Sequence, residues 1–461
     1  MTEDQLAAEL DERASALGVP GAAVGVYHDG VEHYAFHGVT SVENPLPVDA
    51  STLFQFGSTG KTYTATALLR LVDQGRVDLS APVRTYVPEL RLKDESVAEK
   101  VTVLQLLNHT AGWQGDYEKN TGTGDDALAR YVAGMADIDQ VTPLGAEVSY
   151  NNASLSLAGY VIEKVTGQTF EQAMQELVLT PLGMTDTFFF PNDVMTRRFA
   201  VGHTNTPDGA VKVARPWALP RSGNPAGGMS ATAADQITWA RFHLADGRTR
   251  TGEQLLPAQL IRAMREPTVV TPGNALGDAI GISWMLRKCG DVLLVQHGGT
   301  TIGQHSAFVL VPERDFAVTV LTNCGPSGEQ LNTDLVDWAL EAYLGVVEPE
   351  PQLRDVTPDE LAQYHGDYDA IAMSAQITSR PPNTLAVQLS FKPEVLEEVG
   401  ELPQYDEPII IGLVTDGPDQ YVVTEGAMKC MRGYFTRDAD GRIDSVNLGG
   451  RRCDRVAAST F

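Results

Sequence analysis

Two groups of strand-like segments lie far apart in the chain and enclose a long, mainly helical stretch. The first group surrounds the Asp29-Gly30 turn in GAAVGVYHDGVEHYAFHG, and the second runs from 281 to 323. Asp-Gly between apolar segments is a strong hairpin signal. From about 80 to 275 the pattern is that of helices joined by polar loops. The sequence therefore predicts an α+β fold, in which distant segments complete one antiparallel sheet beside a helical lobe.

A second, all-β unit is predicted at the C-terminal end. The segment GVVEPEPQLRDVTPDE is rich in proline and acids and has no apolar period, which indicates a linker. Beyond it, short strands alternate with Pro-Asn, Asp-Gly and Gly-Gly turns, a pattern typical of a small barrel or sandwich. We therefore predict a first domain over 1–346, a linker over 347–357 and a small β-barrel domain over 358–461.

Composition and charge exclude several classes of partner. The formal net charge is −26, and such an acidic surface repels nucleic acid and anionic membranes. The N-terminus is acidic and lacks the apolar segment of a secretion signal, and no run approaches membrane-spanning length. The four cysteines have no Cys-x-x-Cys spacing that would indicate zinc. We expect a cytoplasmic protein without a metal or cofactor, whose partner is a small-molecule or peptide substrate and whose oligomeric state stays open.

The stretch FQFGSTGKTYTATALLRLVDQG, residues 54–75, is compatible with two different chemistries. Gly60-Lys61-Thr62 would end a phosphate-binding loop only if a glycine stood five positions earlier, where the chain has Gln55. Apolar residues after Ser58 instead recur every three or four positions, which predicts a helix that ends at Gly75. Ser58 and Lys61 then lie one turn apart at its start, as a nucleophile and its base require. A capping serine beside a solvated lysine would give the same pattern.

Two downstream motifs favour the catalytic interpretation of the serine and lysine pair. Tyr150-x-Asn152 in EVSYNNASLSLAG is the only Tyr-x-Asn in the chain, and Ser58 is the only serine with a lysine three residues later. The third motif, His297-Gly298-Gly299, directly follows an apolar strand in VLLVQHGGTTIG. A lysine base usually needs a second group that relays protons, and these motifs supply the candidates.

In this order, the three motifs resemble those of the serine β-lactamase and penicillin-binding-protein superfamily, in particular the branch with class C β-lactamases, esterases and D-aminopeptidases. The resemblance covers roughly residues 5 to 345 and includes the phrases GVPGAAVGV, LLNHTAG and GGMSATAAD. It implies a β-lactamase/transpeptidase-like fold. Several members of that branch carry an additional barrel likened to a lipocalin, and the segment LAQYHGDY at the start of the tail looks similar.

The resemblance implies a catalytic role for residues of the first two motifs. Ser58 would attack a carbonyl carbon and Lys61 would accept its proton. Tyr150 would pass a proton to the leaving group and then help to activate the deacylating water. Asn152 would hold the acyl amide of the substrate or orient Lys61.

The third motif has implied roles in catalysis and in substrate binding. The backbone N–H groups of Ser58 and Thr300 would form an oxyanion hole. Gly298 and Gly299 would let a substrate approach the backbone closely along the edge of the strand. His297 stands where lactamases commonly carry lysine, and a histidine is largely neutral near pH 7, so we expect weak or no β-lactamase activity.

The function implied is that of a serine hydrolase that forms an acyl-enzyme on Ser58. It would cleave ester or amide bonds of small acyl or D-amino-acid and peptide substrates. Two alternatives stay open: acyl transfer to an amine, as in the stand-alone thioesterases that resemble penicillin-binding proteins, and a catalytically silent binding protein. Arg451 and Arg452, near the end of the barrel, either reach across to the substrate or form a solvated charge pair.

Overall fold

The computed structural model describes residues 2–117, 119–206, 209–393, 407–426 and 428–456. Its α-helices are α1 (Glu3–Leu17), α2 (Gly60–Asp73), α3 (Glu95–Lys100), α4 (Val103–Leu107), α5 (Ala127–Gly134), α6 (Asn152–Thr166), α7 (Phe170–Met174), α8 (Thr180–Leu182), α9 (Pro191–Val194), α10 (Asn224–Gly227), α11 (Ala233–Leu244), α12 (Ala258–Met264), α13 (Ser327–Ala339) and α14 (Pro358–Leu361). The strands before the linker are β1 (Gly21–His28), β2 (Val31–Gly38), β3 (Phe54–Gln55), β4 (Thr187–Phe188), β5 (His203–Asn205), β6 (Val211–Val213), β7 (Ser230–Ala231), β8 (Val269–Asn274), β9 (Gly277–Ile280), β10 (Met285–Cys289), β11 (Val292–Thr300), β12 (His305–Val311) and β13 (Phe316–Thr322).

The main sheet joins segments from both ends of this part of the chain, as predicted. Its strand order is β2-β1-β13-β12-β11-β10-β9-β8. β1 pairs antiparallel with β2 on one side and with β13 on the other. Asp29 and Gly30 between β1 and β2 have φ angles of 48° and 83°, as a tight hairpin turn requires. The predicted hairpin and the predicted sheet of distant segments are therefore confirmed.

One part of the sheet was not predicted. β8 and β9 lie at the end of the region that the sequence pattern assigns mainly to helices. Pro272, Gly273 and Gly277 interrupt the alternation there, and the register between β8 and β9 shifts between Val270 and Asn274. A proline is tolerated in β8 because this strand lies at the edge of the sheet.

Both faces of the main sheet are buried, each against a different set of helices. Val24 and Val26 of β1 point into a core shared with α1 and α13. Ala23 and Tyr27 of the same strand point into the larger core that contains buried residues of α2, α6 and α11. The alternation of side chains along β1 therefore fixes the sheet between two helical layers. The helix α2 that follows Ser58 lies within this larger core, on the same side of the sheet as Ala23 and Tyr27.

The C-terminal part forms a closed antiparallel barrel with its own core, as predicted. Its strands are β14 (Gly366–Asp369), β15 (Met373–Arg380), β16 (Thr384–Phe391), β17 (Ile409–Leu413), β18 (Gln420–Val423), β19 (Arg432–Arg437), β20 (Ile443–Leu448) and β21 (Arg451–Val456). β14 pairs with β21, which closes the barrel and leaves no strand at an open edge among the eight. The domain boundaries at 346 and 358 stay a prediction.

Ion pairs fasten the barrel to the main sheet. Arg287 of β10 and Arg432 of β19 both pair with Glu348, which lies in the segment between the two units. Burial lowers the pKa of Arg287, and the positive charge of Arg432 beside it acts in the same direction. The carboxylate of Glu348 therefore joins two guanidinium groups that would otherwise repel each other.

Among the helices of the described ranges, none combines the length and the apolar character needed to cross a membrane.

Several histidines are buried in a neutral state. Burial lowers the pKa of His297 to about 3 and that of His305 to about 4. His243 lies in a cage of rings, with ring centres of Trp239 and Trp284 at 4.5 and 5.1 Å, and burial holds its pKa well below the ordinary value. Neither ring nitrogen of His243 has a hydrogen-bond partner in the part of the chain described.

These histidines predict that the fold is destabilised by mild acid. In the unfolded chain a histidine binds a proton near pH 6.5, whereas in the fold these rings stay neutral to lower pH. The free energy of unfolding should therefore fall below about pH 6.5 by up to about 1.4 kcal/mol per pH unit for each such histidine. The free energy of unfolding of His243→Leu is measured with urea at several pH values between 7 and 5. Plotted against pH, it should have a slope shallower by about that amount than the plot for the unmodified protein.

The matched control is Phe242→Leu, which removes a buried ring beside His243 without removing a titratable group. Its slope should equal that of the unmodified protein. Equal slopes for His243→Leu and the unmodified protein would show that His243 is protonated in the fold.

Candidate active site

Ser58 and Lys61 are brought together at the start of α2. Ser58 lies in a 3₁₀ turn over Gly57–Thr59, and Lys61 is the second residue of α2, so the regular helix begins two residues later than predicted. Lys61 Nζ lies 2.9 Å from Ser58 Oγ and donates a second hydrogen bond to the carbonyl oxygen of Ala226 at 2.7 Å. Lys61 is fully buried, and Ser58 is partly exposed. A hydroxyl that a ligand can reach thus lies beside a desolvated amine.

Hydrogen bonds fix the turn that carries Ser58 onto the main sheet. Thr59 Oγ1 donates to the carbonyl oxygen of His297 in β11 at 3.2 Å. Ser306 Oγ of β12 donates to the carbonyl oxygen of Phe56 at 2.7 Å. The hydroxyls of Thr59 and Ser306 lie 3.1 Å apart. The position of the serine is therefore set by strands that lie more than 200 residues later in the chain.

The turn and the end of β11 approach each other so closely that only glycine fits. Gly57 has a φ of 52°, and a Cβ on it would lie 2.8 Å from the backbone nitrogen of Thr300. A Cβ on Gly299 would lie 2.0 Å from the carbonyl oxygen of Phe56 and 2.7 Å from the backbone nitrogen of Ser58. These distances place the N–H groups of Ser58 and Thr300, the expected oxyanion donors, on facing segments.

The end of β11 is open on one side. Its ladder with β10 ends at Gln296, whereas its ladder with β12 continues to Thr300. Gly298 is exposed, and among the described atoms a Cβ on it would meet only the carbonyl oxygen of Ser306, at 3.3 Å. The backbone from 297 to 300 therefore has no partner strand on the β10 side.

Tyr150 lies at the junction of the other site residues. It precedes α6, whose first turn is capped by Asn151 through a 2.8 Å bond from the backbone N–H of Ser154 to the Asn151 side chain. The Tyr150 side chain is buried. Lys61 Nζ is 4.9 Å from its ring centre, and the ring of His297 is centred 6.4 Å away. The structure thus brings the first residues of all three motifs to one place.

His297 is buried in a single tautomer. Its Nδ1 lies 2.6 Å from the carbonyl oxygen of Gly298, and because a carbonyl only accepts, Nδ1 carries the hydrogen. Nε2 therefore carries a lone pair, and this buried atom has no hydrogen-bond partner among the described residues. Burial, followed by the nearby Lys61, lowers the pKa of His297 to about 3. His297 can thus accept a hydrogen bond but supplies no positive charge near pH 7.

The barrel contributes a side chain to the site. Arg451, the first residue of β21, donates from Nε and Nη2 to the Asp116 carboxylate at 2.5 and 3.0 Å. The Nδ2 of Asn152 donates to the same carboxylate at 3.1 Å. The Arg451 guanidinium carbon is 5.0 Å from the ring centre of Tyr150. Asn152 is therefore connected to the barrel through Asp116.

The next residue of the barrel has a different role. Arg452 pairs with Glu147 at 2.9 Å, and its backbone N–H donates to Ser149 Oγ at 3.4 Å. The backbone N–H of Tyr150 donates to the carbonyl oxygen of Gly450 at 2.9 Å. Of the two arginines, only Arg451 lies against the Tyr150 ring. Arg452 instead bonds the start of β21 to the segment that precedes Tyr150. Neither Asp116 nor Gly450 carries a sequence signal that would have identified it.

No group of three or more histidine, cysteine, aspartate or glutamate side chains in the described ranges is arranged to hold a metal ion.

Comparison with known proteins defines the class. The family model described as Beta-lactamase matches residues 4–342. The chain is 34% identical over 365 residues to penicillin-binding protein 4 of Amycolatopsis lactamdurans, which covers 76% of this chain and 96% of that protein. The chain therefore belongs to the beta-lactamase family, whose members include penicillin-binding proteins and serine hydrolases.

Solved structures resemble both parts of the chain. The crystal structure of SurE aligns with a TM-score of 0.76 and 28% identity, and covers 98% of this chain and 99% of SurE. A structure of SurE with D-Leu aligns with a TM-score of 0.74 at the same identity and coverage. The D-amino acid amidase from Ochrobactrum anthropi SV3 aligns with a TM-score of 0.63 and 23% identity over 74% of this chain and 98% of the amidase, a likeness of fold.

The close approach at Gly299 gives a direct test of the oxyanion site. In Gly299→Ala, the added methyl group must push β11 away from the Ser58 turn, which separates the N–H groups of Ser58 and Thr300. The rate of covalent labelling by a fluorophosphonate should fall by about 100-fold, as it does when one oxyanion donor is lost. Intact-mass spectrometry at timed intervals measures that rate.

Gly223→Ala is the matched control, because a Cβ there meets no described atom within 4 Å and the φ of Gly223 is −85°. Its labelling rate should equal that of the unmodified protein. Unchanged labelling in a folded Gly299→Ala variant would contradict the assignment of the oxyanion site.

Proposed function

We propose that this protein is a serine hydrolase that forms an acyl-enzyme on Ser58. The observation that carries the proposal is the 2.9 Å contact between Ser58 Oγ and the fully buried Lys61 Nζ. Burial in general disfavours an ammonium ion relative to the neutral amine, which is the form that a base requires. Lys61 would accept the Ser58 proton as Oγ attacks the carbonyl carbon of the substrate. The Ala226 carbonyl, 2.7 Å from Nζ, holds the amine in place.

The remaining residues would stabilise charge and move protons. The N–H groups of Ser58 and Thr300 would bind the oxygen that becomes negative in the tetrahedral intermediate. Tyr150 would deliver a proton to the leaving group, since its ring lies beside Lys61. The proton that leaves Ser58 thus reaches the departing oxygen or nitrogen, and the acyl group remains on Ser58. In the second half of the cycle water would attack the acyl carbon and the ester bond to Ser58 would break. Tyr150 would take the proton of the water as its own proton passes to Lys61, and Lys61 would return a proton to Ser58 Oγ.

Within the third motif, His297 would accept a hydrogen bond rather than provide a cation. Its Nε2 is a buried acceptor that lacks a partner among described residues, and such an atom is costly to leave unpaired. A donor group of a bound substrate, or the Tyr150 hydroxyl during proton transfer, would satisfy it. A neutral histidine would not attract the carboxylate of a β-lactam, which supports weak or no β-lactamase activity.

The proposed substrates are esters or amides of small acyl groups, D-amino acids or short peptides. The structure of SurE with D-Leu supports a D-amino acid as one component, and the amidase fold supports an amide bond as a target. Gly298 and the open side of β11 would give such a substrate backbone partners. Asn152, which donates a hydrogen bond to Asp116, would contact the acyl amide of the substrate.

Acyl transfer to an amine is the second candidate. The turn between β20 and β21 lies directly against the segment that carries Tyr150, so the barrel covers one side of the site. Such a cover would limit the access of water to the acyl-enzyme and favour a bound amine. The complex of SurE with D-Leu, a free amino acid, is consistent with an acceptor amine in a protein of this type. A silent binding protein would not need the contact between Ser58 and Lys61.

The hydrolase proposal predicts the outcome of a substrate panel. The panel contains p-nitrophenyl butyrate, a D-alanine p-nitroanilide and a penicillin, and release of chromophore or loss of the lactam is followed at pH 8. We expect turnover of the ester, the anilide or both, and little of the penicillin. Ser58→Ala should lose at least about 10³-fold in kcat while retaining its circular dichroism spectrum. Full turnover in Ser58→Ala, or a penicillin turned over faster than both other compounds, would contradict the proposal.

Acyl transfer is tested with one peptidyl thioester that carries a free N-terminal amine. Chromatography coupled to mass spectrometry separates hydrolysed from cyclised product. If the cyclised peptide is the major product, acyl transfer is the function. If the hydrolysed acid is the sole product, the function is hydrolysis.

A further inference from the structure

Charged and titratable groups from four segments of the chain surround the ring of Tyr150. Lys61 Nζ from α2 is 4.9 Å from the ring centre, and the Arg451 guanidinium from β21 is 5.0 Å from it. The ring of His109, from the loop after α4, is centred 4.6 Å away, and that of His297 from β11 is centred 6.4 Å away. The chemistry of this tyrosine therefore depends on which of these neighbours carry charge.

The two histidines are neutral. Burial holds the pKa of His109 well below its ordinary value, and the neighbouring Lys61 acts in the same direction. His109 Nδ1 accepts the backbone N–H of Asn151 at 3.1 Å, which a doubly protonated ring could not do. Burial and the nearby Lys61 likewise keep His297 neutral. Positive charge near Tyr150 therefore comes from Lys61 and Arg451.

These two cations differ in permanence. A base must be neutral at the moment it accepts a proton, so Lys61 cannot supply constant charge during the cycle proposed above. A guanidinium stays protonated throughout. Arg451 is thus the cation that stays beside Tyr150 at every stage, and it comes from the barrel rather than from the segment that carries the three motifs.

We propose that Arg451 is a positioning residue for Tyr150: the barrel supplies the permanent cation that stabilises the phenolate form of this tyrosine during proton transfer. This inference rests on the proposed function, in which Tyr150 is the proton relay. The guanidinium carbon is 5.0 Å from the ring centre, and the negative charge of a phenolate is partly delocalised onto the ring, so this cation favours the ionised form. The effect grows when both groups are removed from water. Tyr150 is 6% exposed, and the Arg451 side chain is 29% exposed.

Contacts on both sides of the arginine hold it in this place. The Asp116 carboxylate, 14% exposed, accepts two hydrogen bonds from Arg451 and one from Asn152. Gly450, the residue before Arg451, accepts the backbone N–H of Tyr150. The negative charge of Asp116 offsets part of the guanidinium charge, so we expect a moderate effect on Tyr150. The Glu147 carboxylate is already paired with Arg452.

Removing the charge of Arg451 should change the ionisation of Tyr150 even without a substrate. The phenolate absorbance of the full chain is titrated, and the signal of Tyr150 is obtained by subtracting the titration of Tyr150→Phe. The same subtraction is made for Arg451→Gln with and without Tyr150→Phe. The Tyr150 midpoint should move to higher pH by about one unit in Arg451→Gln. Arg451→Lys, which keeps a cation, should remain within a few tenths of a unit of the unmodified protein.

Arg452→Gln is the matched control for loosening of the barrel. Arg452 lies on the same strand as Arg451. Its substitution breaks the ion pair with Glu147 but removes no charge from the surface of the Tyr150 ring. Its Tyr150 midpoint should be unchanged. A midpoint that is the same in Arg451→Gln as in the unmodified protein would overturn the inference, as would an equal shift in Arg452→Gln. If Arg451→Gln does not fold, a shift of about one unit in Arg451→Lys would overturn it too.

The activity of the same variants gives a second readout. The falling limb of kcat/KM against pH for p-nitrophenyl butyrate, where Tyr150 loses the proton that it gives to the leaving group, should move in Arg451→Gln in the direction and by the amount of the Tyr150 midpoint. If the Tyr150 midpoint moves but that limb of the kcat/KM profile does not, the link to catalysis is overturned. Failure of the proposed function is recognised separately, because an unmodified protein that neither turns over the ester nor labels with a fluorophosphonate would still give the Tyr150 midpoints.

Discussion

The close approach between the Ser58 turn and the end of β11 is the constraint on which the site depends. Gly57 and Gly299 allow the two backbones to approach each other. The Thr59 hydroxyl donates to the His297 carbonyl oxygen, and the Ser306 hydroxyl donates to the Phe56 carbonyl oxygen. The rest of the fold holds these segments in place: β11 lies inside the main sheet, and α2 is buried in the larger core. A nucleophile on one segment and a second N–H donor on another can act on the same carbonyl only if both segments are rigid.

The barrel is integrated into the molecule rather than attached as a separate unit. Its turn between β20 and β21 bonds to the backbone of Tyr150, and Arg451 joins Asp116 and Asn152. Glu348 joins arginines from the main sheet and the barrel. Movement of the barrel would therefore alter the environment of Tyr150 directly, so the chemistry of the site and the docking of the barrel are physically coupled.

The fold and the chemical groups of the site could largely be predicted from the sequence, because they rest on local patterns. The Asp29-Gly30 hairpin follows from turn chemistry, and the Ser58 and Lys61 pair follows from spacing along one helical turn. β8 and β9 could not be predicted because Pro272 and Gly273 disrupt the period of an edge strand. The sequence already indicates that His297 is largely neutral near pH 7, but the lowering of its pKa to about 3 follows from burial, which only the fold shows.

The contribution of the barrel could not be predicted for a different reason. Arg451 and Arg452 are adjacent in sequence and identical in type, yet one lies against Tyr150 and the other pairs with Glu147. Which of two neighbouring strand residues faces the site depends on how the barrel is docked, and this information is tertiary. Asp116, in a loop without a recognisable motif, became apparent only through its contacts with Arg451 and Asn152.

The central claim is that the reaction passes through an ester on Ser58, and trapping that intermediate tests it most directly. The unmodified protein would be mixed with p-nitrophenyl butyrate, quenched in acid during turnover, digested and mapped by peptide mass. The account predicts a butyryl group on Ser58 that forms at least as fast as turnover and then disappears as substrate is consumed. Turnover without a butyryl group on Ser58, or with one that persists on another residue, would contradict it.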